Sequence, residues 1–349
     1  MANANPQRHE EVTIRERINS RVIKERFITG KHSSLEELKE KMLKQRPRDP
    51  MVKYLIKENI PLYPTPVEFW VSDVAHATDE DGFTGILKSE EFRPPKSEFS
   101  WWDLKINKEE IRAAEMRYME KKFSKPAQEL KKPESFLEEF TTSPLFQLEK
   151  SRYGNYRFTF PLTDLMQWYK EQNCGGEDPV LRVYETITYR QEIVYTVLIH
   201  SPEDNTRFTE YPLLKESEWV RYQDGRIIWN AQAICETHSY QFISGKVQSL
   251  DPPETRPEFY VWDQVSLVFH LPKGTKPIKA LKIPKERLIE ALEACELDEI
   301  VDLQHYKSSN HKDKCFLEAT KKVSELKQKL AEEKKESKDD DNIKMEVDP

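Results

Sequence analysis

The stretch that decides the fold runs from Val180 to Pro202, VLRVYETITYRQEIVYTVLIHSP. It is dense in β-branched and aromatic residues, which favour a pleated, half-buried surface. It is also too long for one ordinary strand. Two strands with a break near Arg190-Gln191 follow from that. Downstream, EWVRYQDGRIIWN reads as a hairpin, with Trp219–Tyr222 and Ile227–Asn230 paired across Asp224-Gly225, a dipeptide that favours a type I′ turn. YVWDQVSLVFHLP supplies further strand. Upstream, NYRFTFPL alternates like a strand, and so does PVEFWVSDVAHAT, whose apolar run stops near His76 before a turn-forming Asp79–Gly82. KEEIRAAEMRYMEKKF places Ile111, Ala114 and Tyr118 near one helical face. PKERLIEALEACELDEIVDL reads as an amphipathic helix opened by Pro284. The balance is α+β: an antiparallel-rich sheet core with flanking helices.

The flanks differ from this centre. Residues 1–60 are charge-rich and read as a partly helical arm. There Ser34 and Glu37 form a capping-box pattern ahead of Leu38 and Met42. Residues 61–308 read as one α+β globular domain. Residues 309–349 read as a charged helix running into a disordered tail, with order expected to fade from about residue 325 because lysine and acidic blocks carry little apolar surface. Within the tail, IKME has the hydrophobic-Lys-x-Glu pattern of a SUMO acceptor at Lys344.

Composition bounds the function. The chain has 349 residues, 37% hydrophobic and 34% charged, with a formal net charge of −7. That charge argues against general nucleic-acid binding. No run reaches the roughly 18 apolar residues of a membrane span, and the first residues have no apolar core of a secretory signal. The four cysteines are scattered, which fits reduced thiols in a cytoplasmic or nuclear protein. With only 9 glycines the chain holds neither a dinucleotide-binding G-x-G-x-x-G nor a phosphate-binding G-x-x-x-x-G-K-[ST]. Cys235 and His238 have no second close Cys/His pair to complete a zinc set, so no metal is expected.

One series of short motifs remains. A strand ends in His76, Thr78 follows two residues on, and Ile86-Leu87 and Phe92 come after. FSWWDL then enters the helix IRAAEMRYMEK, and RQEIVYTVLIH opens a later strand with Glu192. This order resembles the ADP-ribosyltransferase fold, in its poly(ADP-ribose)-polymerase-like branch, over about residues 67–200. The resemblance implies NAD or ADP-ribose binding. His76 and Thr78 would hold the ribose, Trp101 or Trp102 would stack on nicotinamide, and Glu192 would stabilise the charge that develops as nicotinamide leaves. Ala77 stands where the family usually has glycine, and the tryptophans stand where it has a tyrosine hydroxyl. The resemblance therefore implies binding with weak or no transfer. Read from the residues alone, His76 is a strand-end or cap residue and the tryptophans are core. The alternative function is a non-enzymatic module that binds other proteins.

Overall fold

The computed structural model describes residues 13–18, 24–31, 35–48, 67–93, 97–122, 149–151, 153–189, 192–231, 237–243, 246–255, 262–273, 279–297 and 309–345. In chain order the first elements are β1 (Thr13–Ile18), β2 (Lys24–Lys31), α1 (Leu35–Gln45), β3 (Val67–Val71), β4 (Asp73–Thr78), α2 (Glu80–Ser89), β5 (Glu91–Phe92), β6 (Phe99–Lys105) and α3 (Lys108–Lys122). Then come β7 (Lys150–Ser151), β8 (Tyr156–Pro161), α4 (Leu162–Asn173), β9 (Val180–Tyr189), β10 (Glu192–His200), β11 (Val220–Gln223) and β12 (Arg226–Ala231). The rest are β13 (Thr237–Ile243), β14 (Lys246–Thr255), β15 (Trp262–His270), β16 (Leu281–Lys282), α5 (Lys285–Ala291), β17 (Leu292–Ala294), β18 (Glu296–Leu297) and α6 (Ser309–Met345).

Nine strands form the main sheet in the order β1-β2-β9-β10-β15-β6-β4-β8-β17. Every neighbouring pair in it is antiparallel except β10 and β15, which run parallel. The α+β expectation is met. The long stretch is two strands, β9 ending at Tyr189 and β10 opening at Glu192, while Arg190-Gln191, the expected place of the break, lie outside the described residues. A three-stranded sheet, β11-β12-β3, lies apart from it. Val67, Phe69 and Val71 of β3 and Ile227 and Trp229 of β12 join the same core as Trp102, Phe158, Phe160 and Leu267 of the main sheet. Helix α3 adds Ile111, Ala114 and Tyr118, and α4 adds Leu165, Met166 and Tyr169. Asp79 caps α2 by accepting the Gly82 amide through Oδ1.

Four expectations need correction. PVEFWVSDVAHAT is two strands, because the chain changes sheets at Ser72. The N-terminal arm contains strand as well as helix. β1 and β2 pair, and β2 extends the main sheet by pairing with β9. The helix after Pro284 ends at Ala291, since Leu292–Ala294 pair with Tyr156–Phe158 as an edge strand. Helix α6 continues to Met345 rather than losing order near residue 325; Val323 and Leu330 pack inward, and Lys334 pairs with Glu290. Lys344 therefore sits in the last turns of a helix. Ser34, Cys235, residues 1–12 and the final four residues lie outside the described residues.

Candidate functional site

Side chains alternate across a strand, so the main sheet has two faces. Along β6 the even residues Ser100, Trp102 and Leu104 are buried, while Phe99, Trp101, Asp103 and Lys105 are partly exposed. The two tryptophans therefore point to opposite faces. Trp102 is fully enclosed and donates from Nε1 to the Ser100 hydroxyl at 3.1 Å. His76 belongs to the same core side. Its ring centroid is 5.1 Å from Phe92 and 5.3 Å from Trp102. Its Nδ1 donates to the Trp101 carbonyl at 2.8 Å. Burial pushes its pKa down, and the bond to Trp101 only partly opposes that. The imidazole is thus a part-buried ring packed on the core, with Nδ1 committed to a backbone carbonyl. Thr78 ends β4 against Gly154, where a Cβ would come within 2.0 Å of the Thr78 carbonyl oxygen, so the chain passes too closely for any side chain.

Glu192 is elsewhere. Ala75 is level with Asp103, Asp103 with Ser266, and Ser266 with Thr196. Glu192 opens β10 four residues before Thr196, whereas His76 lies one residue beyond Ala75 on a strand running the same way. Three strand spacings and five residues of rise separate them, roughly 20 Å. The structure brings His76, Trp102 and Phe92 together and leaves Glu192 and Trp101 out of that cluster.

The richer chemistry is on the Trp101 face. At one end Phe99, Trp101, Tyr184 and Tyr211, all partly exposed, pack around buried Leu198, Phe208 and Val268. Tyr184 and Tyr211 lie with ring centroids 4.8 Å apart, and Phe99 and Tyr184 5.3 Å apart. The buried hydroxyls Thr196 and Ser266 follow along the same face, and Ser266 donates to the Asp103 carboxylate at 2.5 Å. At the other end Glu293 accepts Lys105 at 2.7 Å and Arg157 at 3.1 Å. Burial raises the Glu293 pKa, but the two cations together hold it below the usual carboxylate value. Half-buried Asp73 beside them is pushed upward, because burial outweighs the Lys105 field.

This face was readable only in part. The alternation in FSWWDLK gives Phe99, Trp101, Asp103 and Lys105 a common side. Nothing local says that Tyr184 and Tyr211 join them, since they arrive from β9 and from the segment after β10. The buried Cys174 and Cys295 are held protonated, their thiol pKa values raised to about 11 by burial. They are inert thiols rather than nucleophiles. Among the described residues no group of three or more His, Cys, Asp or Glu is placed to hold a metal ion. Among them, too, no helix is long and apolar enough to cross a membrane. No known protein family matches the chain, and no curated protein or solved structure shows significant similarity to it.

Proposed function

We propose that the chain is a nucleotide-binding protein of the NAD or ADP-ribose class that lacks transferase chemistry, with its ligand against the partly exposed aromatic patch beside Trp101. The observation that carries this is the placement of Trp101, a partly exposed indole within a patch shared by Phe99, Tyr184 and Tyr211. A nucleobase or nicotinamide ring stacks on such a platform for about 1–3 kcal/mol per ring. Arg207, half exposed and 5.3 Å over the Phe208 ring of the same patch, is paired with Glu98 at 2.8 Å, so a pyrophosphate would compete with that carboxylate for it. The wide separation of Glu192 from His76 argues for binding without glycosidic cleavage. Among the described residues Cys174, Cys295 and Cys315 are not in disulfides, which favours a reducing compartment, cytoplasmic or nuclear.

Calorimetric titration with NAD and with ADP-ribose tests this. Trp101→Ala is expected to weaken binding by about 5- to 150-fold, the equivalent of that stacking energy. Glu192→Gln is expected to leave it unchanged, and no protein is expected to label itself from NAD. Folded wild type that binds neither ligand overturns the proposal, as does self-labelling that Glu192→Gln abolishes. A second reading, a protein-binding module, is favoured by Trp70, 37% exposed beneath the Arg117 guanidinium. Its signature is a partner lost on Trp70→Ala and kept on Trp101→Ala.

A further inference from the structure

At the C-terminal ends of the parallel strands β10 and β15 stand His200 and His270, both fully buried on the Trp101 face. Their bonding fixes their protonation. Arginine only donates. His200 Nε2 lies 3.0 Å from Arg182 Nε, and His270 Nε2 lies 3.1 Å from an Arg207 terminal nitrogen, so both Nε2 atoms carry lone pairs. The protons must sit on Nδ1. From there His200 donates to the Ser201 carbonyl at 2.7 Å and His270 to the Asp204 carboxylate at 3.1 Å. Both rings are therefore neutral couplers between an arginine and the segment that follows β10.

That segment, a 3-10 turn at Pro202–Arg207 and the chain to Tyr211, is tied down through the same groups. Arg182 also donates to the Tyr211 carbonyl at 2.5 Å and the Asn205 side-chain oxygen at 2.6 Å. Phe208 and Tyr211 ride on the segment and cover one end of the aromatic patch. A proton added at either Nε2 removes the acceptor and sets imidazolium against guanidinium.

We propose that His200 and His270 form an acid-released latch: protonation frees the segment 202–211 from the sheet and uncovers the aromatic patch. This goes beyond nucleotide binding and does not depend on it. The surrounding charges do not cancel the effect. Asp204 from the segment and Glu98 from the approach to β6 favour a charged His270, yet burial, with Arg207 beside it, keeps its pKa below 6.5. For His200, burial together with Arg182 of β9 and the neighbouring His270 outweighs Asp204 and the Ser201 carbonyl. Helix α4 contributes Tyr169, whose hydroxyl donates to the His270 carbonyl at 2.7 Å, and the protonated Cys174. Beyond these, Glu216 acts on Arg182, and Glu203 and Lys279 pair at 3.2 Å.

Amide exchange of the full chain without ligand, at pH 7.5 and 5.0 and corrected for intrinsic rates, tests the latch. Amides of Phe208 and Tyr211, which bond back to the Asn205 and Phe208 carbonyls, are expected to lose protection at pH 5.0 by on the order of tenfold or more, while the β4, β6 and β15 amides keep theirs. The double variant His200→Gln/His270→Gln keeps an acceptor but cannot gain a proton, so its segment protection should no longer change with pH. If that variant fails to fold, nitrogen NMR of the wild-type imidazoles decides. Both should remain neutral Nδ1–H tautomers down to the pH at which the segment opens. Equal protection at both pH values overturns the latch, and so do rings that protonate while the segment stays closed. Failure of NAD and ADP-ribose to bind at any pH would count against the proposed function alone.

Discussion

His76 shows how a residue with every sequence mark of a ligand-binding group packs against the core instead. Its Nδ1–H is spent on the Trp101 carbonyl, and its faces meet Phe92 and Trp102. His76→Ala opens a void and orphans a carbonyl, so a loss of about 2–4 kcal/mol is expected in urea unfolding, with ligand affinity per folded molecule unchanged. A second residue-scale prediction concerns Gly225. Asp224 and Gly225 both take positive φ, 50° and 76°, as a type I′ turn demands. A Cβ on Gly225 would also meet Thr163 Cγ2 at 2.5 Å. Gly225→Val should cost roughly 1–3 kcal/mol by the same measurement. The turn was legible because Asp-Gly carries its conformation locally. The role of His76 was not, because strand-end position is local while enclosure depends on rings from β5 and β6. For Trp101 and Trp102, adjacency in a strand guarantees opposite faces, but only the assembled layers say which face is closed.

Among elements, β3 is the edge of the three-stranded sheet, and helix α3 guards it. Glu110 accepts the Trp70 amide at 2.5 Å, Arg117 donates to the Glu68 carbonyl at 2.9 Å, and the two side chains pair with each other. Edge groups capped in this way cannot recruit a strand from another molecule. Glu110→Ala/Arg117→Ala should therefore aggregate faster by light scattering, with only about 1–2 kcal/mol of lost stability. Helix α6 is held by a different device. Phe316, Ala319, Val323, Leu326 and Leu330 recur at alternating three- and four-residue spacing; Ala319, Val323 and Leu330 are buried, Phe316 and Leu326 partly so. Val323→Glu should detach the helix and expose it to protease at concentrations that spare wild type. That spacing is present in KKVSELKQKLAEEKK, yet the surrounding charge conceals it. Five side chains make a sufficient stripe when a surface waits for them, and the charges merely face water. The opposite error arose after Pro284, where a helical pattern yielded to the pairing of Leu292–Ala294 with β8.

For the whole molecule, two buried histidines and one part-buried one shape the acid limb of stability. His76, His200 and His270 all have pKa values lowered from 6.5, with burial the largest cause. A neutral-favouring native state binds fewer protons than the unfolded chain. Stability is thus fully present above about pH 6.5 and falls as pH drops, by up to about 1.4 kcal/mol per pH unit for each histidine until its folded pKa is reached. Denaturant midpoints from pH 7.5 to 5 should fall accordingly, and His200→Gln/His270→Gln should flatten most of the slope. A constant midpoint would mean that these rings protonate as readily folded as unfolded. The main sheet carries one more consequence, in the order of its making. β15 is the fifth strand of nine, yet it is synthesised after β1, β2, β9, β10, β6, β4 and β8. Until residue 262 leaves the ribosome, the chain can hold only two half-sheets, each ending in a raw edge, at β10 and at β6. A nascent chain halted at residue 261 should thus bind holdase chaperones strongly, and release should come as the missing middle strand is translated and zips the two halves together.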